Sequence, residues 1–168
     1  VLKVLKDTYL GNFISNEGIE DIFEILEKGK FETKTLLEKI APEPVLLDYF
    51  WLRFDLHNLK VAIRAKKAGK STEEVLPFLS KLGKYDAVNL LECIMTNNLD
   101  RIAGDLKNIY DRAVKALDEH GLAEADFEID KGYFTLLKNL VESSENKILS
   151  EILRIRLSGR SSMLLLHV

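Results

Sequence analysis

Asp55, His57 and Asn58 form the one polar cluster inside a mostly apolar stretch of this 168-residue chain, and they are the residues best suited to chemistry. A catalytic reading makes Asp55 a base and His57 its partner. Residues two apart do not share a helix face, however, so Asp55 cannot orient His57 directly. Asp55 and Asn58, three apart, do share one. The structural reading is a buried polar pair that fixes helix register through hydrogen bonds to a neighbouring helix, since buried polar groups must be satisfied.

Other reactive side chains are isolated. His57, His120 and His167 have no histidine or cysteine at i,i+4, so a helical zinc site has no sequence support. His120 sits beside a helix stop, where a positive charge complements the macrodipole. Cys93 lies among Leu90, Leu91, Ile94 and Met95 and reads as a buried, inert thiol. No glycine pattern forms a phosphate-cradling loop, and Ser158-Gly159-Arg160-Ser161-Ser162 reads as a flexible break. The sequence therefore supplies no catalytic residue, no cofactor-binding residue and no metal ligand set.

The element that must position Asp55 and Asn58 runs from Pro44 to Gly69, with a central helix expected over 44–68. Proline suits a first turn and glycine a position just past the end. Val45, Tyr49, Leu52, Leu56, Leu59 and Ile63 form one apolar stripe, and Leu47, Phe50, Trp51, Phe54, Val61 and Ala65 a second. Two stripes predict a helix buried on most sides. Before it, the pattern predicts a short helix over Val1–Phe13, a helix capped by Ser15 or Asn16 and stopped at Gly29, and another over Thr33–Ile40. After it come a capping box at Ser71/Glu74, a break at Pro77 and again near Gly83, a helix over Tyr85–Met95 with Val88, Leu91 and Met95 inward, and a longer one over Leu99–His120. Asp130 caps a helix through Leu140, Ser143-Ser144 interrupts it, and the pattern fades over 157–168. Strand-like alternation is missing, so the fold class is all-α, divided into helical modules 1–70 and 71–168.

Composition agrees. Hydrophobic residues are 46% and charged residues 30%, enough apolar material for a core. The net charge of -3, from 24 basic and 27 acidic residues, lacks the basic excess of a nucleic-acid binder. A single cysteine excludes an intramolecular disulfide and fits a reducing, cytoplasmic setting. No stretch approaches the roughly 18–20 apolar residues of a membrane span. The opening at Val1 points to a partial chain.

The segment from Trp51 to Lys66 resembles a recurring helix of the C (or d) subunit of the V/A-type rotary ATPases. That family carries Asp-x-x-Asn, then Leu or Ile, then a basic residue, followed by an apolar run and Arg-Ala-basic. Asp55, Asn58, Leu59 and Lys60 fill the core of the pattern, and Arg64-Ala65-Lys66 fill its ending. Leu79–Asp86 resembles the glycine-containing turn that comes after this helix. Asp130 with Tyr133-Phe134 resembles the opening of the next module, and Val1–Gly11 the end of the one before. A second copy near Arg156 has Ser158 and Ser161 where Asp and Asn would stand.

The resemblance implies part of a funnel of three similar helical bundles on the cytoplasmic face of the membrane rotor ring. Such a subunit receives the foot of the central shaft and passes torque, while nucleotide hydrolysis happens elsewhere. It implies that Asp55 and Asn58 brace a bundle and that Arg53 and Lys60 are candidate partner contacts. A generic helical adaptor carrying the motif by chance, and a helical enzyme using His57 or buried carboxylates, are the competing readings.

Overall fold

The computed structural model describes residues 7–8, 11, 22–43 and 45–164. Its described elements are helices, with no strand among them: α1 Ile22–Ile40, α2 Val45–Lys67, α3 Thr72–Val75, α4 Ala87–Met95, α5 Gly104–His120, α6 Leu122–Ser144 and α7 Lys147–Leu164. Single 3-10 turns cover Leu76–Phe78 and Leu99–Arg101. The all-α class is as the sequence implies. Apart from Asp7, Thr8 and Gly11, the expected opening helix and the caps at Ser15 and Asn16 lie outside the described residues.

The chain forms two compact units, Val1–Leu47 and Asp48–Val168. The sequence pattern divides it at 70/71 instead. The physical difference is that the polar face of α2 is bound to residues 78–85, which groups Asp48–Lys67 with the second unit.

In the first unit, α1 is one continuous helix and not two. Gly29 lies inside it, buried, where it carries only the modest propensity cost of an interior glycine. Ion pairs Lys30–Glu27 and Lys34–Glu38 run along its surface. It ends at Ile40, just before Ala41-Pro42.

In the second unit α2 ends in a Schellman motif. Lys70 N–H donates to the Ala65 carbonyl at 3.0 Å and Gly69 N–H to that of Lys66 at 3.2 Å, with Gly69 at φ +65. Ser71 and Glu74 then close the expected capping box on α3. Asp86 caps α4 by accepting from Asn89 N–H, so the inward face is Ala87, Leu90, Leu91 and Ile94. Val88, expected inward, is exposed as a result.

The expected helix from Leu99 is shorter. A 3-10 turn and an extended Ile102 precede α5, which starts at Gly104 and still leaves Ile102 buried. Gly121, at φ +94, ends α5 and lets α6 start at once. The two helices fold back on each other: Arg112 lies 3.7 Å from Glu128, and a Cβ added to Gly132 would lie 2.5 Å from Ile109 Cγ1. That close approach requires a glycine. The core of the unit is Leu59, Leu91, Ile94, Leu106, Ile109, Ile129 and Leu137.

Two further expectations are corrected. Asp130 lies in the middle of α6 and is no cap, because the helix begins well before it, directly after Gly121. The helix α7 is capped by Asn146, whose Oδ1 accepts from Ile148 and Leu149 N–H, and it continues past Ser158-Gly159. Ser158 satisfies its hydroxyl locally on the Arg154 carbonyl at 2.9 Å, so a serine at this point does not break the helix.

Candidate functional site

The polar cluster on α2 is a clamp on the loop that comes after α3. Asp55 is 0% exposed, and its two carboxylate oxygens accept separately, from Lys84 N–H and Tyr85 N–H, each at 3.0 Å. Asn58, also 0% exposed, donates from Nδ2 to the Ser80 carbonyl at 2.9 Å and accepts from Ser80 N–H on Oδ1 at 2.8 Å. His57 Nε2 lies 3.1 Å from the Phe78 carbonyl, which needs the tautomer protonated on that nitrogen. One turn of helix thus fixes residues 78–85 by five hydrogen bonds to backbone. An amide suits Ser80 because it matches a donor and an acceptor; a carboxylate suits two N–H groups because it only accepts.

The loop is built to admit this. A Cβ added to Gly83 would stand 2.2 Å from Asp55 Oδ1 and 3.0 Å from Asp55 Cγ. Glycine therefore makes room for the carboxylate. The sequence marks Gly83 as a helix breaker and as the glycine of the turn LSKLGKYD, but not as the seat of a carboxylate.

The polar pair is buried, but its partner is loop backbone and not another helix. Leu59, next in the pattern, is fully buried in the core. The basic residues of the pattern are engaged within the chain, Lys60 and Arg64 in ion pairs and Lys66 in hydrogen bonds to neutral acceptors. Lys60 Nζ lies 2.8 Å from Asp130 Oδ1, and Arg64 pairs with Asp126, joining α2 to α6. Lys66 donates to the Ile94 carbonyl at 2.6 Å and to Asn97 Oδ1, closing the C-terminal end of α4. Asp130, expected as a cap, is the Lys60 partner.

Arg53 differs. Its side chain is exposed, with the guanidinium carbon 4.4 Å from the centre of the Phe54 ring, and it makes no ion pair among the described residues. The helix is less buried than two stripes imply, because Phe50, Arg53, His57, Arg64 and Lys67 form an exposed line along it. Cys93 is buried, its thiol 3.7 Å from Asn89 Oδ1. No group of three or more metal-ligating side chains occurs among the described residues. No described helix is long and apolar enough to cross a membrane.

The fold and the clamp define an all-helical module whose most polar buried residues serve its own architecture. Comparison with known proteins identifies the lineage. The sequence model of the ATP synthase (C/AC39) subunit family matches residues 1–158, and the chain belongs to that family. It is 26% identical over 141 residues to the C subunit of the A-type ATP synthase of Methanococcoides burtonii, covering 80% of this chain and 40% of that protein. It is 25% identical over 120 residues to the C subunit of the A-type ATP synthase of Methanosarcina acetivorans, covering 69% of this chain and 33% of that protein. The chain therefore spans well under half the length of these relatives. No solved structure matches it.

Proposed function

We propose that this chain is a module of the non-catalytic central-stalk subunit that couples the shaft of a rotary ATPase head to the membrane rotor ring. Its partners are the shaft subunits and the ring, it works on the cytoplasmic face, and nucleotide chemistry takes place in other subunits. The observation that carries the reading is the family match over residues 1–158. The clamp supports it: Asp55 and Asn58, the best candidates for chemistry, have their hydrogen-bonding capacity directed to Lys84, Tyr85 and Ser80 backbone. A part that carries torque needs stiff joints between its elements, and a loop tied by five bonds to one helix turn is such a joint. In this role Asp55, Asn58, Leu59, Lys60 and Arg64 brace the bundle, and Arg53 and Lys60 are the partner contacts, Lys60 from within its ion pair with Asp130. Modules of this kind in quasi-repeat complete the funnel.

Native mass spectrometry of the chain mixed with the purified shaft-subunit pair of its own ATPase tests the reading. A defined complex is the expected result. A well-folded chain that binds neither shaft nor ring overturns it in favour of a generic helical adaptor.

A further inference from the structure

We infer that the strip made by exposed Phe50, Arg53 and His57 and half-buried Phe54 on α2, with exposed Phe78 on the clamped loop, is a docking surface for an acidic protein segment bearing apolar side chains. The inference rests on the proposal that this chain works by binding protein partners. Positions 50, 53, 54 and 57 share one helix face. Phe50 is 48% exposed and Phe78 68%, and His57 joins the loop to the helix through the Phe78 carbonyl. Two large aromatic side chains thus stand in solvent on backbone that is held in place.

That rigidity is the second observation. Asp55 and Asn58 fix the loop that carries Phe78, so little further ordering is required when a partner covers it. Preorganised aromatic anchors beside an arginine are the residue types that dominate binding surfaces.

Charge selects the partner. The chain as a whole is acidic, at -3, yet this strip carries no exposed carboxylate on α2. Asp48, at the N-terminal end of α2, is paired with Lys84, and Asp55 is buried. Arg53 is an exposed cation on the strip with no ion pair among the described residues, unlike Lys60 and Arg64. One uncompensated arginine is too little to neutralise a run of phosphates, whereas it matches a segment with a carboxylate beside an apolar residue.

The test uses the 168-residue chain and two synthetic amphipathic helical peptides with the same apolar face, one acidic and one basic. Amide and side-chain NMR shifts at Phe50, Arg53, Phe54, His57 and Phe78 should move with the acidic peptide and not the basic one. Arg53→Glu and Phe78→Ser, both altering exposed side chains, should each weaken that binding by roughly tenfold with unchanged helix content. Equal response to both peptides, shifts confined to other surfaces, or no loss in either variant overturns the inference. So does preferential binding to anionic lipid vesicles. None of these outcomes touches the shaft-binding result, which is read separately by native mass spectrometry.

Discussion

The seat of Asp55 against Gly83 makes a prediction whose sign depends on the order of substitution. In Asp55→Ala, the N–H groups of Lys84 and Tyr85 lose a fully buried acceptor. Unsatisfied buried donors cost ~1–3 kcal/mol each, and water reaching the vacated space recovers part of it, so a net loss of about 2–4 kcal/mol is expected. In Gly83→Ala alone, the new Cβ meets the carboxylate oxygen at 2.2 Å and forces it off those same donors, for about 2–3 kcal/mol. In Asp55→Ala the obstructing oxygen and Cγ are gone, and the nearest remaining contact is the backbone N of residue 55 at an ordinary 3.5 Å. Gly83 is not among the positive-φ residues, so alanine there is conformationally allowed. Gly83→Ala should then be neutral or stabilising by up to ~1 kcal/mol, through a less disordered unfolded chain. Urea unfolding, monitored by far-UV circular dichroism on the parent, the two single variants and the double variant, gives the cycle. A coupling of at least about 2 kcal/mol is expected from this arithmetic. If Gly83→Ala costs the same in both backgrounds, the carboxylate does not sit against Gly83 and the clamp is misdrawn.

Other substitutions and one titration probe the same framework. Asn58→Ala removes both bonds to Ser80 and should cost about 2 kcal/mol, with faster amide exchange at Ser80 and Leu82 as the local readout. Gly132→Ala should destabilise by about 1–3 kcal/mol through Ile109, and Ile109→Ala in the same chain should shrink that increment. At high pH, the Lys84 ammonium is held above its ordinary 10.5 by donating to Asp48, and burial holds the Tyr85 phenol above 10.0. Both shifts favour the protonated form in the folded chain, so their contribution is full below these ordinary values and is lost as pH rises above them through the raised folded-state ones. Lys84 is half-exposed, so its share is modest. The thermal unfolding temperature should fall less steeply from about pH 9 to about pH 11 in a Lys84→Met, Tyr85→Phe variant than in the parent.

Several features are legible in the sequence because their signals are local. Gly69, Ser71 with Glu74, and Gly121 act within one or two turns, and each ends or begins a helix. Asp55 and Asn58 stand out by polarity on an apolar helix, three residues apart. Their partners do not, because Ser80, Lys84 and Tyr85 contribute only backbone, which no side-chain pattern encodes. Gly83 shows the same limit: a turn glycine and a glycine vacating space for a carboxylate look alike in sequence. The displaced boundaries have a common cause. Gly29 and Ser158 carry the residue types of helix breakers, yet each lies inside a helix where the cost is small or a hydroxyl is satisfied locally. The neighbours of Asp130 suggest a cap, while Lys60, seventy residues away, is what it binds.

The central claim is that this chain links rotation to transport without taking part in nucleotide chemistry. It is tested most directly in membranes carrying its own ATPase, by deleting residues 1–158 and measuring ATP hydrolysis and ion pumping together. The account predicts that the head retains hydrolysis while ATP-driven pumping is lost, and that adding back the intact protein restores pumping. Pumping that survives the deletion, or a head isolated without the chain that hydrolyses no ATP until the chain is supplied, would contradict it.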